Sequence, residues 1–161
     1  MIDLERDGDV FLLRLRDGEN RFNRVFLDAL VGALDEVEKS AGPAALVTVG
    51  EGKFWSNGLD LAWLGGDGAE SGGFLADVHR MFARFLACPL PTVAALNGHA
   101  FAGGAMMALA HDFRVMRADR GFFCLPESDL GLPLTPGMNA VVTAKLPKLT
   151  AHEAIVTGRL Y

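Results

Sequence analysis

The chain has 161 residues, enough for one domain over residues 1–161 whose core buries about 70% of the unfolded-chain surface. Half the residues are hydrophobic, the formal net charge is −5, and the fifteen basic side chains are scattered, which excludes the basic face that nucleic-acid phosphates require. No stretch reaches the roughly 18 consecutive apolar residues of a membrane span, and Cys88 and Cys124 have no CxxC spacing or nearby His pair, which predicts reduced thiols, no structural metal and a cytoplasmic location.

The acidic start Met-Ile-Asp-Leu-Glu-Arg lacks the basic residues of a secretion signal. Apolar and charged residues alternate over Ile2–Arg6 and Val10–Arg16 around Asp7-Gly8-Asp9, which predicts a β-hairpin. Phe26, Leu30, Ala33, Leu34 and Val37 recur at helical spacing between Arg24 and Lys39, and Gly42-Pro43 stops the run. Ala44–Val49 is continuously apolar, the pattern of a strand covered on both faces in a parallel sheet. The glycine-rich stretch Gly65–Gly73 predicts a mobile surface loop, too short to separate two domains. A helix is expected over Phe74–Leu86, with Phe74, Val78, Phe82 and Phe85 inward and Pro89 and Pro91 after it. Strands are expected at Thr92–Leu96 and Phe113–Met116, with a helix from Gly103 to Ala110 between them. Strand and helix alternate over short connections with no internal sequence repeat, so the fold class is α/β and layered.

Two segments carry the chemistry: Phe54-Trp55-Ser56-Asn57-Gly58-Leu59-Asp60-Leu61 and Asn97-Gly98-His99-Ala100-Phe101-Ala102-Gly103-Gly104. Each sets small residues at the end of an apolar strand, where backbone N–H groups can be left free, and the second opens a helix whose dipole adds to them. Two such N–H groups meeting at one point form an oxyanion hole, which suits a thioester carbonyl becoming an enolate. Glu127 follows Pro126 at the end of the mostly apolar run Gly121–Leu125, and apolar surroundings raise a carboxyl pKa toward a value useful for moving protons.

Each feature also has a plainer reading. Ser56-Asn57-Gly58 is a common turn, Gly103 also permits close helix–strand packing, and a glutamate in a loop is often solvated. Asp60 and Asp112 read as structural anchors, Met106 as a core side chain, and His79, His99, His111 and His152 as packing or surface residues without metal spacing. Gly50-Glu51-Gly52-Lys53 lacks the rest of a phosphate loop, and no Gly-x-Ser-x-Gly elbow is present.

Taken together, the two glycine loops and Leu125-Pro126-Glu127-Ser128-Asp129-Leu130-Gly131 resemble the signature of the crotonase (enoyl-CoA hydratase/isomerase) superfamily, from about residue 10 to the last residue. The resemblance implies a crotonase-like layered core, a ββα-type spiral. It implies oxyanion donors at the backbone N–H groups of Leu59 and Gly103, and Glu127 as the proton shuttle. It also implies a thioester site built from Asn57, Gly58, Leu59, Asp60, Leu61, Ala62, Gly103 and Gly104, with Lys53 able to meet a CoA phosphate.

Hydratases of the family carry a second glutamate where this chain has Met106, so the resemblance is closest to the monofunctional Δ3,Δ2-enoyl-CoA isomerases. Another acyl-CoA reaction on the same oxyanion hole, or a non-catalytic acyl-CoA-binding role, remains compatible with these residues. Coenzyme A would enter as part of the substrate, with no separate cofactor and no metal. Family members continue past the equivalent of Tyr161 with helices that cover the acyl pocket and build a trimer or a pair of trimers. A chain ending at Tyr161 is therefore expected to lack those C-terminal helices and to self-associate.

Overall fold

A computed structural model describes residues 2–66, 68 and 72–161. The hairpin strands β1 (Ile2–Asp7) and β2 (Val10–Leu15) pair antiparallel, and β3 (Ala45–Gly50), β5 (Thr92–Leu96) and β7 (Phe113–Met116) join in parallel to give the order β1-β2-β3-β5-β7. A second sheet, β4-β6-β8, is built in parallel from β4 (Phe54–Ser56), β6 (His99–Phe101) and β8 (Phe123–Cys124). Each parallel strand of the large sheet thus leads into one strand of the small sheet and then into helix. The chain runs β3-β4 to α2 (Leu61–Gly65) and α3 (Phe74–Leu86), β5-β6 to α4 (Gly103–Ala110), and β7-β8 to α5 (Pro136–Lys145). This is the expected ββα spiral, a structural repeat without a sequence repeat.

The helices form where the spacing predicts. In α1 (Arg24–Glu38) the Asn23 side chain accepts the Phe26 N–H at 3.0 Å as an N-cap, and Phe26, Leu27, Leu30, Leu34 and Val37 are buried. Helix α3 buries Phe74, Val78, Met81, Phe82 and Phe85. Arg84 ties α3 to α1 through Asp35 at 2.8 Å and Glu38 at 2.9 Å. Residues 67 and 69–71 of the expected mobile loop at Gly65–Gly73 lie outside the described residues.

One expectation is corrected. Strand β3 is not covered equally on both faces: Leu46 and Thr48 are buried, whereas Ala45, Val47 and Val49 are only partly so. The same alternation runs through β5, and the edge strand β7 is exposed over residues 113–115, with Phe113 62% and Val115 64% exposed. Among the described residues the helices close one face of the large sheet and leave the other open.

Beyond β8 the structure adds α5 and α6 (Lys148–Thr157), which the sequence reading leaves unassigned. Thr135 caps α5 by accepting the Met138 N–H at 3.3 Å, with Pro136 in the first turn. The last residue returns to the small sheet, where Tyr161 and Phe123 exchange N–H to O bonds of 3.0 Å in both directions. Beside it the Cys124 thiol donates to the Gly158 carbonyl at 3.1 Å.

Candidate active site

The loop after β4 is fixed by its backbone bonds. Asn57 N–H donates to the Glu19 carbonyl at 2.9 Å, Gly58 N–H to the Ser56 hydroxyl at 3.2 Å and Asp60 N–H to the Phe22 carbonyl at 3.0 Å, while Gly58 O accepts from Phe22 N–H at 2.7 Å. Only the Leu59 N–H in this run lacks an acceptor among the described residues. A second loop supplies its neighbour. Strand β6 becomes α4 at one residue, Ala102, whose N–H donates to Cys124 O at 3.0 Å and whose carbonyl accepts the Met106 N–H at 3.1 Å. Its angles, φ 52° and ψ −126°, are those of the first central position of a type II′ turn, a place that favours glycine. The turn brings the next N–H, that of Gly103 at the start of α4, to a position with no acceptor among the described residues.

The loops touch at their glycines. Gly58 has φ +73°, and a Cβ there would lie 2.6 Å from Gly103 N and 3.0 Å from Phe101 O. Gly104 packs against the Ser56 carbonyl, where a Cβ has no room. Leu59 and Gly103 both border a cavity of about 670 Å³ with leucine walls from Leu61, Leu64, Leu75, Leu130 and Leu132. That volume lies within the range of small-molecule sites.

Glu127 borders the same cavity. It sits in the tight loop after β8, held by Leu130 N–H to Pro126 O at 3.1 Å and Leu132 N–H to Glu127 O at 2.9 Å. The residue is 8% exposed, and its side-chain Oε2 has no hydrogen-bond partner among the described residues. Burial pushes the carboxyl above the usual glutamate range, opposed by its own backbone N–H. One buried carboxyl thus lines the same largely apolar cavity as two residues whose backbone N–H groups are unpaired among the described residues.

The profile of the enoyl-CoA hydratase/isomerase family matches residues 5–161. The chain is 39% identical to enoyl-CoA delta isomerase 3 of Arabidopsis thaliana, a match covering 99% of this chain and 70% of the relative. The peroxisomal enoyl-CoA delta isomerase 2 of the same plant is also 39% identical, over 99% and 70%. The chain belongs to the enoyl-CoA hydratase/isomerase family. Its fold is crotonase-like: the crystal structure of a probable enoyl-CoA hydratase from Mycobacterium tuberculosis superposes with a TM-score of 0.91 over 99% of this chain and 68% of that one, at 24% identity.

Within this family fold, the structure brings Asn57, Leu59, Leu61, Gly103 and Glu127 together around one cavity, with Gly58 packed directly behind. Others lie apart. Asp60 caps α2 by accepting the Trp63 N–H at 3.0 Å, and Ala62 is exposed on the same helix. Lys53 is exposed on the turn before β4, its ammonium 5.5 Å from the Phe54 ring centre and away from the cavity lining. Asp112 anchors β5 through Thr92, accepting its N–H at 2.9 Å and its hydroxyl at 3.0 Å. Met106 is fully buried in the core. Among the described residues no group of three or more His, Cys, Asp or Glu could hold a metal, and no helix is long and apolar enough to cross a membrane.

Some contributors carry no sequence signal. Asn20 is fully buried with φ +51°; its side chain donates to Trp55 O at 3.0 Å and accepts Asp17 N–H at 2.8 Å. Arg21 lines the cavity and bonds Glu19 at 2.7 Å, and Glu19 also accepts from the Asn57 amide at 2.7 Å. The Asn20–Trp55 and Glu19–Asn57 bonds join residues separated by more than thirty positions.

Proposed function

We propose that the chain converts 3-enoyl-CoA to 2-enoyl-CoA. The carrying observation is the buried Glu127 carboxyl, one oxygen of it unpartnered, on a residue that lines the same cavity as Leu59 and Gly103. The two N–H groups donate to the thioester oxygen, where negative charge grows as the enolate forms. Glu127 takes a proton from C2, giving a dienolate, and returns it at C4, so the double bond moves from C3–C4 to C2–C3. Apolar walls keep water from the dienolate, and the raised pKa brings the carboxyl closer to the acidity of the proton it moves. The names of the Arabidopsis relatives support the same reaction.

Glu127→Gln tests this reading. It keeps the side-chain shape and removes the base, so the rate falls by about 10² or more while binding of the CoA ester is retained. In the wild type the rate rises with pH as Glu127 ionises, with a midpoint above the ordinary glutamate range. An unchanged rate in Glu127→Gln removes the residue from the reaction.

Coenzyme A enters this scheme as part of the substrate, with no separate cofactor. Assembly as a homo-oligomer, a trimer or a pair of trimers, belongs to the same proposal and is supported by the open sheet face with Phe113 and Val115; light scattering decides it. A cytoplasmic location is proposed from the two free thiols, Cys88 and Cys124, although two relatives are named peroxisomal. Subcellular fractionation tests that point.

A further inference from the structure

We propose that Ser56 is a positioning residue for the oxyanion hole, acting through the Gly58 peptide. Ser56 is fully buried at the end of β4, and its hydroxyl works in two directions: it donates to Asn20 O at 2.8 Å and accepts from Gly58 N–H at 3.2 Å. The hydroxyl has one hydrogen, and that hydrogen is committed to Asn20, so the lone pairs face Gly58. This fixes the plane of the Ser56-to-Gly58 turn from the inside. The outside is fixed by Phe22, which bonds Gly58 O and Asp60 N–H. With the peptides on both sides held, the Leu59 N–H has one direction left, and Leu59 borders the cavity.

The anchor beneath Ser56 is itself rigid. Asn20 holds φ +51° while its amide bonds Trp55 O and Leu15 O and its side-chain oxygen accepts Asp17 N–H, so its carbonyl stays aimed at Ser56. The Ser56 carbonyl in turn packs against Gly104 of the second loop. One residue therefore contacts the supports of both donors, although it does not border the cavity.

This inference rests on the isomerase reading, and the test separates the two. Wild type, Ser56→Ala and Ser56→Cys are compared by steady-state kinetics on a 3-enoyl-CoA and by the infrared carbonyl stretch of a bound saturated acyl-CoA labelled with ¹³C at the thioester. Ser56→Ala lowers kcat about tenfold, a fraction of the roughly 10²–10³ lost when a donor is removed outright, with KM within about twofold. Its bound carbonyl band moves back toward the free-ester position. Ser56→Cys, which keeps a weak donor, falls between the two. Thermal unfolding of each variant sets the folded fraction. A wild-type band in folded Ser56→Ala, or no band shift in the wild type, overturns the proposal. Absence of isomerisation by the wild type counts against the reaction alone, since the band comparison still decides the role of Ser56.

Discussion

Gly58 and Gly103 lie in contact across the two loops, close enough that a single Cβ on Gly58 would sit 2.6 Å from the Gly103 nitrogen. The residues follow different strands of the small sheet, Gly58 after β4 and Gly103 after β6, so their approach sets how near the two unpaired N–H groups stand. Gly58→Ala forces the loops apart and adds an alanine at φ +73°. The expected cost is about 1–3 kcal/mol of stability from the backbone conformation, together with a loss of about 10² or more in turnover as the donors separate. Denaturant unfolding and turnover of 3-enoyl-CoA check both, and a folded variant with wild-type kcat sinks the geometric assignment.

Much of this arrangement is legible in the sequence, for reasons that can be named. Helices α1 and α3 are marked by the period of their apolar stripes, and β5 and β7 by short apolar stretches bounded by Pro91 and Asn97 and by Asp112 and Arg117. The small sheet is not legible, because strands of two or three residues hold no period at all. Helices α5 and α6 are hidden for a different reason. In α6 only Ala151 and Ala154 are buried while Leu149 and Val156 face outward, so hydrophobicity and burial do not coincide. At the site, Leu59, Gly103 and Glu127 can be named from motif and resemblance, whereas Asn20, Ser56 and Arg21 depend on contacts that only the folded chain makes.

Met106 fixes a negative expectation. The family resemblance places it at the helix position where hydratases carry a second glutamate, and Met106 itself is fully buried. A thioether cannot activate water, so purified protein should hydrate 2-enoyl-CoA at background rate while isomerising 3-enoyl-CoA. Loss of absorbance of the conjugated thioester on incubation with 2-enoyl-CoA measures hydration directly, and robust turnover contradicts the assignment.

His111 sets a pH dependence of stability. It is fully buried and neutral at pH 7, so with its Nδ1–H donating to Met107 O at 2.8 Å the Nε2 accepts the Thr48 hydroxyl at 2.9 Å. Burial, aided by nearby Arg114 and Lys145 and opposed by the Met107 bond and Asp112, holds its pKa down at about 4, below the ordinary 6.5. The unfolded chain therefore takes up this proton first as pH falls. Stability is complete above about 6.5 and declines as pH drops toward about 4, by about 3 kcal/mol from this group. Glu127 acts with the opposite sign: its raised pKa favours folding in acid and is lost as pH rises. Urea unfolding at pH 7 and pH 4.5 should show the decline in the wild type and a smaller one in His111→Gln; equal slopes contradict the buried neutral ring.

Ala102 stores strain that glycine can release. Its φ of 52° with ψ of −126° puts a Cβ where L-residues are disfavoured, yet both of its peptide groups are committed, the N–H to Cys124 and the carbonyl to Met106. A non-glycine residue in such a sparsely populated region costs about 1–3 kcal/mol, while an added glycine loosens the unfolded chain by about 0.4–1 kcal/mol. The difference favours Ala102→Gly by about 1 kcal/mol. A rise in the denaturant midpoint with unchanged slope is the expected result, because the slope tracks surface exposed on unfolding and the substitution alters little of it. A midpoint at or below the wild-type value means that packing of the Ala102 methyl against the Gly58 loop outweighs the backbone strain, and the strain assignment then fails.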